Sequence, residues 1–170
     1  MTYILHKSDY KFQPNPNKIE PFQLFTEISR YKDNITPKYL DFDVRKLNPG
    51  EFSAPYHYHR YADELFYIIS GCATLRTPEG LTEVTEGTIL YFEAGKKGTH
   101  QLGNLSDTPC IYLDLRTSIG YDIAIYPDSD KIITIPDGEL FSMNEQKNYF
   151  EGENNVGKIW EKLKYFNNSK

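Results

Sequence analysis

The sequence predicts an all-β protein built as a sandwich or barrel of antiparallel strands. Its aromatic residues are 14 tyrosines and 10 phenylalanines against a single tryptophan, a bias that favours pleated, half-buried surfaces over helical bundles. Short apolar and aromatic segments recur between residues 38 and 126 with turn residues between them, which is typical of antiparallel sandwiches and barrels. Because 170 residues suffice for one core, we expect one domain with extensions.

The first 35 residues show no clean alternation of apolar and polar residues. They contain Pro14, Pro16 and Pro21, and proline interrupts helices and central strands alike. We interpret residues 1–35 as an arm wrapped on the core, with one short helix around Phe22 to Tyr31.

The first strand of the barrel is predicted at Tyr39–Leu47, where an apolar face alternates with a charged one. The apolar face, expected to meet the core, consists of Leu40, Phe42 and Val44. The charged face, expected on the surface, consists of Asp41, Asp43 and Arg45. The segment Asn48-Pro49-Gly50 then supplies proline and glycine at the central positions of a type II turn.

The remaining strands follow at short intervals, separated by turns rich in glycine, proline and asparagine. Strands are predicted over residues 64–70, 72–76, 81–84, 88–92, 99–102 and 110–116, with two more over residues 121–126 and 131–135.

An amphipathic helix is predicted from Val156 to Phe166. Its apolar residues at helical spacing are Val156, Ile159, Trp160, Leu163 and Phe166. We divide the chain into an arm (1–35), a barrel (36–126) and a C-terminal extension (127–170) that packs on the barrel or on a partner subunit. Because the arm and the helix are apolar additions that a bare barrel does not need, we expect a homodimer.

The charge balance excludes several classes of partner. Nineteen Lys and Arg against 24 Asp and Glu give a net charge of −5, the wrong sign for binding nucleic acid through a basic surface. No apolar run is long enough to span a membrane, and charged residues interrupt the start of the chain where a signal peptide needs an apolar segment. We therefore predict a cytoplasmic protein.

Cys72 and Cys110 lie in apolar strand patterns and are interpreted as buried thiols. A single disulfide bridge between them is the alternative.

Three of the four histidines in the chain, together with one glutamate, form a sequence pattern between residues 57 and 100. Residues two apart on a strand face the same way, so His57 and His59 point at one spot. Glu64 begins the next strand on the same face as apolar residues, and a buried carboxylate needs a partner such as a metal cation. His100 lies on a later strand, whereas His6 lies in the arm and is interpreted as an ordinary surface or core histidine.

This pattern resembles the two motifs of the cupin superfamily, and the chain is identified as similar to a small single-domain cupin. The first motif is matched by Gly50, His57, His59, Glu64 and Gly71. The second motif is matched by Gly87, Gly95, His100 and Asn104. Two departures are Glu93 in place of the usual proline and a loop before His100 that is two residues longer, so specificity is expected in that loop, where Lys96 and Lys97 lie.

The resemblance implies a double-stranded β-helix barrel of six or more strands. It also implies a divalent metal bound by His57, His59, Glu64 and His100. Three imidazoles and a carboxylate suit zinc, iron, manganese, nickel, cobalt and copper alike, so the metal is not distinguished. If the geometry is octahedral, two positions remain for water, substrate or dioxygen.

The residues around the metal are predicted from strand alternation. The expected lining consists of Phe66, Ile68, Ile89, Tyr91 and Leu102, with Tyr91 as the polar contact; for the apolar residues, plain barrel packing is the favoured interpretation. Among the charged strand residues, Asp41, Arg45 and Arg116 are those most able to reach the rim of the site, although surface placement is favoured for each.

The predicted function is that of a divalent-metal-binding protein acting on a small-molecule ligand, as a dioxygenase-type oxidoreductase or as a sugar or sugar-acid isomerase or lyase. One alternative is a non-catalytic module that binds a small ligand. Another is a structural dimer in which the metal mainly stabilises the fold.

Overall fold

The computed structural model describes residues 4–13, 19–23, 28–29, 38–118, 120–144 and 147–167. These residues form twelve strands and one α-helix, α1, at Val156–Asn167. The strands are β1 (Ile28–Ser29), β2 (Leu40–Leu47), β3 (Tyr58–His59), β4 (Glu64–Ser70), β5 (Cys72–Thr77), β6 (Gly80–Thr85), β7 (Ile89–Phe92), β8 (Gln101–Gly103), β9 (Cys110–Thr117), β10 (Asp122–Tyr126), β11 (Lys131–Ile135) and β12 (Leu140–Ser142).

The strands form three antiparallel sheets. A five-stranded sheet has the order β1-β2-β9-β4-β7, a four-stranded sheet the order β12-β11-β10-β3, and a three-stranded sheet the order β6-β5-β8. An isolated antiparallel bridge between His57 and His100 joins the ends of the two smaller sheets. The predicted all-β class is confirmed.

One apolar core lies between the sheets. Its buried residues are Leu47, Phe66, Ile68, Ala73, Leu75, Val84, Leu90, Phe92, Leu102, Cys110 and Tyr112. Alternate residues contribute to it, Phe66 and Ile68 from β4 and Cys110 and Tyr112 from β9, as the alternation predicts. Cys72 and Cys110 are both free thiols.

The charged face of β2 points into the barrel, so the predicted surface position of Asp43 and Arg45 is wrong. Asp43 is only 5% exposed, and the Arg45 side chain only 15%. The charges are accommodated because Arg45 lies between Asp43 and Asp114. Val44, on the opposite face, is also buried, at 3% exposure. Alternation shows that two faces differ, but it does not show which of them a protein buries.

The predicted helix around Phe22 to Tyr31 falls mostly outside the described residues. Where the structure does describe this segment, it is extended: Phe22 forms a bridge with Phe52, and Ile28–Ser29 pairs with β2. The helix prediction is wrong at these positions.

The predicted C-terminal helix is confirmed as α1. The apolar side chains on its first two turns are exposed, with Val156 at 51%, Ile159 at 55% and Trp160 at 63%. Its packing on a barrel or on a partner stays a prediction. No helix among the residues described is both long and apolar enough to cross a membrane.

Candidate metal centre

Three histidines and one glutamate meet inside the barrel. His57 and His100 lie opposite each other, with backbone N–H groups donating to each other's carbonyl oxygens at 3.1 and 2.8 Å. His59 lies on β3, and Glu64 begins β4. All four residues are buried, with exposures between 1% and 8%. The structure thus brings together the four residues predicted as ligands, and their binding of a metal stays a prediction.

The carboxylate of Glu64 lies at the centre of this group. Glu64 Oε2 is 3.2 Å from His100 Nε2, 3.6 Å from His59 Nε2 and 3.9 Å from His57 Nε2. The ligand atoms of His57, His59 and Glu64 all lie within 4.8 Å of one another. With metal–ligand bonds of about 2.0–2.2 Å, such separations suit one shared ion.

Two of the imidazoles are fixed by backbone carbonyl groups. His57 Nδ1 lies 2.9 Å from the carbonyl oxygen of Pro55, and His100 Nδ1 lies 2.9 Å from that of Gly98. Because a carbonyl oxygen only accepts hydrogen bonds, both Nδ1 atoms donate. In the neutral imidazole the other nitrogen, Nε2, then carries a lone pair directed at Glu64.

The third imidazole is fixed by a carboxylate from β10. Asp122 accepts from His59 Nδ1 through Oδ2 at 2.5 Å and from the Tyr61 N–H through Oδ1 at 2.9 Å. Burial raises the pKa of Asp122, but the hydrogen bonds from His59 and the backbone outweigh it and lower the pKa to about 2. The ionised carboxylate therefore keeps the proton of His59 on Nδ1, the arrangement that metal-bound histidines adopt.

These hydrogen bonds leave buried acceptors facing one another. Burial, followed by the neighbouring His100, lowers the pKa of His57 to about 3, so its imidazole is neutral. Burial raises the pKa of Glu64, but its interactions with His100, His59 and His57 hold it well below the usual value. In the part of the chain that the structure describes, Glu64 Oε2 and His100 Nε2 have no hydrogen-bond partner. A buried acceptor without a donor costs about 1–3 kcal/mol, and a cation removes that cost.

The donor set fits a divalent transition metal. Structural zinc sites are usually closed tetrahedra rich in cysteine, whereas three imidazole nitrogens and one carboxylate oxygen suit zinc, iron, manganese, nickel, cobalt and copper. The four residues therefore form a candidate metal site without fixing the metal.

A buried network of charges lies behind Glu64. Arg45 Nε is 3.1 Å from Asp114 Oδ2, and Arg45 Nη2 is 3.5 Å from Asp43 Oδ2. Burial raises the pKa of Asp114 to about 8, a shift that Arg45 opposes and Glu64 reinforces. The carboxyl groups of Asp114 and Glu64 therefore interact directly, with the Arg45 guanidinium beside Asp114.

Aromatic rings pack around His100. The Phe92 ring stacks on its imidazole with centroids 3.6 Å apart and an interplanar angle of 8°, and Phe66 meets it edge-on at 5.3 Å. Phe66, Ile68 and Leu102, predicted to line the site, are at most 2% exposed and pack in the core. Their contact with a ligand stays a prediction.

Tyr91 points away from the histidines, so its predicted inward orientation is wrong. On β7, Leu90 and Phe92 are 9% and 6% exposed, whereas Ile89 and Tyr91 are 64% and 61% exposed. Since Phe92 stacks on His100, the odd-numbered residues of this strand face outward. Ile89 therefore does not line the site either.

Sequence reasoning missed two residues of β10 beside the site, Asp122 and Tyr126. The Tyr126 ring stacks on His57 with centroids 5.8 Å apart and an interplanar angle of 25°. Ala124, on the same face of β10, is 1% exposed. An aspartate on the buried face of a strand is the sequence signal that identifies Asp122.

Two small clefts meet at Arg116, which is opposite Glu64 in the pairing of β4 with β9. One cleft is lined by Asp43, Arg45 and Glu64 among others. The other is lined by Asp122 and neighbouring residues. The side chain of Arg116 is 28% exposed, with Nη2 lying 3.8 Å from an oxygen of Asp41. Arg116 therefore lies at the edge of the site rather than on a remote surface.

Comparisons with known proteins agree with this geometry. A family model described as a cupin domain matches residues 44–116. That range contains all four candidate ligands. No curated protein sequence matches the chain.

Solved structures share the fold. A cupin-superfamily sugar phosphate isomerase from Silicibacter pomeroyi is 24% identical, with a TM-score of 0.60 over 67% of this chain and 74% of its own. A Klebsiella pneumoniae protein with a double-stranded β-helix domain is 18% identical, with a TM-score of 0.52 over 69% of this chain and 90% of its own. The polyketide cyclase RemF from Streptomyces resistomycificus is 16% identical, with a TM-score of 0.53 over 69% and 80%. The predicted double-stranded β-helix fold is confirmed.

Proposed function

Because a family model described as a cupin domain matches residues 44–116, we propose that the chain is a metalloenzyme acting on a small polar molecule at a divalent metal ion. The residues that hold the ion are His57, His59, Glu64 and His100.

One observation carries this proposal. Three imidazole nitrogens lie within 3.9 Å of one carboxylate oxygen in a buried space, and the hydrogen bond at each Nδ1 makes the facing Nε2 the lone-pair nitrogen of the neutral imidazole. Such a group of acceptors is unfavourable without a cation.

His57, His59, Glu64 and His100 would hold the divalent ion, which would supply Lewis-acid polarisation of a substrate oxygen. The chain itself supplies the surroundings. Phe66 and Phe92 pack against His100 and keep water from that side. Arg116, between the two clefts, offers guanidinium donors to oxygen atoms of a small polar molecule. The buried pair of Arg45 and Asp114 lies behind Glu64.

Two reaction classes follow from this proposal. The first is isomerisation or elimination on a sugar or sugar acid, which we put first because the S. pomeroyi sugar phosphate isomerase shares the fold. The second is dioxygenase-type oxidation. A fold hosts many activities, so the classes are separated by assay: formation of an isomer or an unsaturated product from sugars and sugar acids, against consumption of dioxygen with the same compounds.

Metal analysis tests the site itself. Protein purified without chelators is expected to contain about one equivalent of a transition metal by mass spectrometry. The His59→Ala variant is expected to lose it, whereas His6→Ala, the matched control in the exposed N-terminal segment, is expected to keep it. Absence of metal, together with failure to bind zinc, iron, manganese, nickel, cobalt or copper on titration, would contradict the proposal.

A further inference from the structure

The outer face of the five-stranded sheet is apolar across four neighbouring strands. The register of β2, β9, β4 and β7 aligns two rows of side chains on this face. The first row consists of Phe42, Leu115, Leu65 and Tyr91. The second row consists of Val44, Leu113, Tyr67 and Ile89. None of these eight residues is charged, and we call them the outer patch.

The outer patch is covered at one end and open at the other. Val44, on β2, is 3% exposed, whereas Tyr67 is 38% exposed, and Ile89 and Tyr91 are 64% and 61% exposed. The N-terminal segment lies beside β2, where Lys46 Nζ is 5.4 Å from the ring centroid of Phe12. The open end therefore centres on β7.

A groove runs beside β7 and extends the open end of the patch. Its lining includes Ile89, Tyr91, Leu75 and Leu90, with Glu79, Glu93 and Lys97 among the charged residues. An apolar groove with acidic residues along it suits an amphipathic basic helix.

The same chain carries such a helix. The sequence of α1 contains three lysines and one glutamate, in a protein whose net charge is −5. Its apolar residues Val156, Ile159 and Trp160 fall on one face and are 51–63% exposed. At 12 residues the helix is about 18 Å long.

We propose that the outer patch binds α1 of a second copy of this chain, in a reciprocal dimer. Within one chain both surfaces stay exposed, so neither covers the other. A two-fold contact covers both surfaces of both copies at once and doubles the buried area toward the roughly 800 Å² per partner of a stable interface. Lys162, beside the apolar face of α1, is placed to pair with Glu79 or Glu93 along the groove. The inference does not depend on the metal site.

The single tryptophan of the chain, Trp160, reports this contact directly. Sedimentation equilibrium and tryptophan emission are measured on the full chain over a dilution series. The expected result is a dimer with blue-shifted emission at high concentration, which shifts to the red as the dimer dissociates. Blue-shifted emission that is independent of concentration would show that α1 covers its own barrel. A monomer with red-shifted emission throughout would show that nothing covers it. Either result overturns the proposal.

Substitutions then locate the surface. Ile89→Asp acts twice in a two-fold dimer and is expected to raise the dissociation constant on the order of 100-fold. Leu140→Asp is the matched control, because Leu140 is 61% exposed on another sheet, and it is expected to leave dimerisation unchanged. Equal dissociation constants for the two variants would overturn the proposed surface.

Ile159→Asp on α1 gives the same information if Ile89→Asp disturbs the barrel, since Ile159 is 55% exposed. It is expected to weaken the dimer as strongly. A mixture of the two variants is expected to dimerise better than either alone, because the helix of one binds the intact patch of the other. Absence of this rescue would contradict a reciprocal contact.

Discussion

Replacing Asp122 with asparagine is expected to weaken metal binding without altering any ligand. Asp122 makes two hydrogen bonds, to His59 Nδ1 at 2.5 Å and to the Tyr61 N–H at 2.9 Å. An asparagine keeps one acceptor, and if that oxygen stays on Tyr61, its amide N–H₂ faces Nδ1. The proton of His59 then moves to Nε2, the atom directed at Glu64.

The size of the effect follows from this exchange of tautomer. Loss of a carboxylate that orients a metal-bound histidine typically weakens binding about 10- to 100-fold, or about 1.4–2.8 kcal/mol. We expect the upper end of this range, because Asp122 is ionised and 8% exposed, so water does not replace it easily.

The assay is calorimetric titration of the chelator-stripped protein with zinc, or competition with a chromophoric chelator if binding is tight. Asp128→Asn is the matched control, since Asp128 pairs with Arg76 at 2.6 Å and is an exposed residue outside the site; its affinity is expected to stay at the parent value. Unchanged affinity in D122N, with an unchanged circular dichroism spectrum, would refute the tautomer argument.

Three other outcomes are expected. Gly98→Ala places a Cβ against the carbonyl oxygen of Glu93 and should lower the free energy of unfolding in urea by about 1–3 kcal/mol; Gly157→Ala, with nothing within 4 Å, should not lower it, and equal losses would contradict the steric argument. Cys110 should react with a thiol reagent at pH 8 only in the unfolded chain, because burial raises its pKa to about 12; rapid reaction in the native state would contradict this. The metal-free chain should lose stability as the pH falls from about 6.5 toward 3, because the unfolded chain protonates His57 near its ordinary pKa of 6.5 while the folded chain resists until about 3; urea midpoints that are equal at pH 7, 5 and 4 would argue against it.

The four candidate ligands could be identified from the sequence because local rules place them. His57 and His59 share a face through the two-residue period of a strand, and Glu64 begins the next strand on an apolar face. Only His100 depends on a distant pairing, the bridge to His57, and there the family motif supplied the information that spacing alone lacks.

The orientation of strands was harder to predict. On β2 the alternation was correct, but the charged face points inward, because Arg45 and Asp114 satisfy each other across two strands. On β7 the contact of Phe92 with His100 decides which alternate residues face inward. The sequence does not contain this contact, so the prediction placed Tyr91 on the wrong side. Both errors arise from contacts between strands, which a local pattern does not contain.

The proton of His59 is fixed by a residue that lies beyond the family match. That match ends at residue 116, whereas Asp122 and the β10 backbone that pairs with His59 come after it. The affinity for an ion can therefore change through substitutions in β10 that never touch the ion. A fragment restricted to residues 44–116 contains every candidate ligand and yet lacks the group that sets the basicity of one of them, so the ability to retain a metal is a property of the barrel together with its following strand.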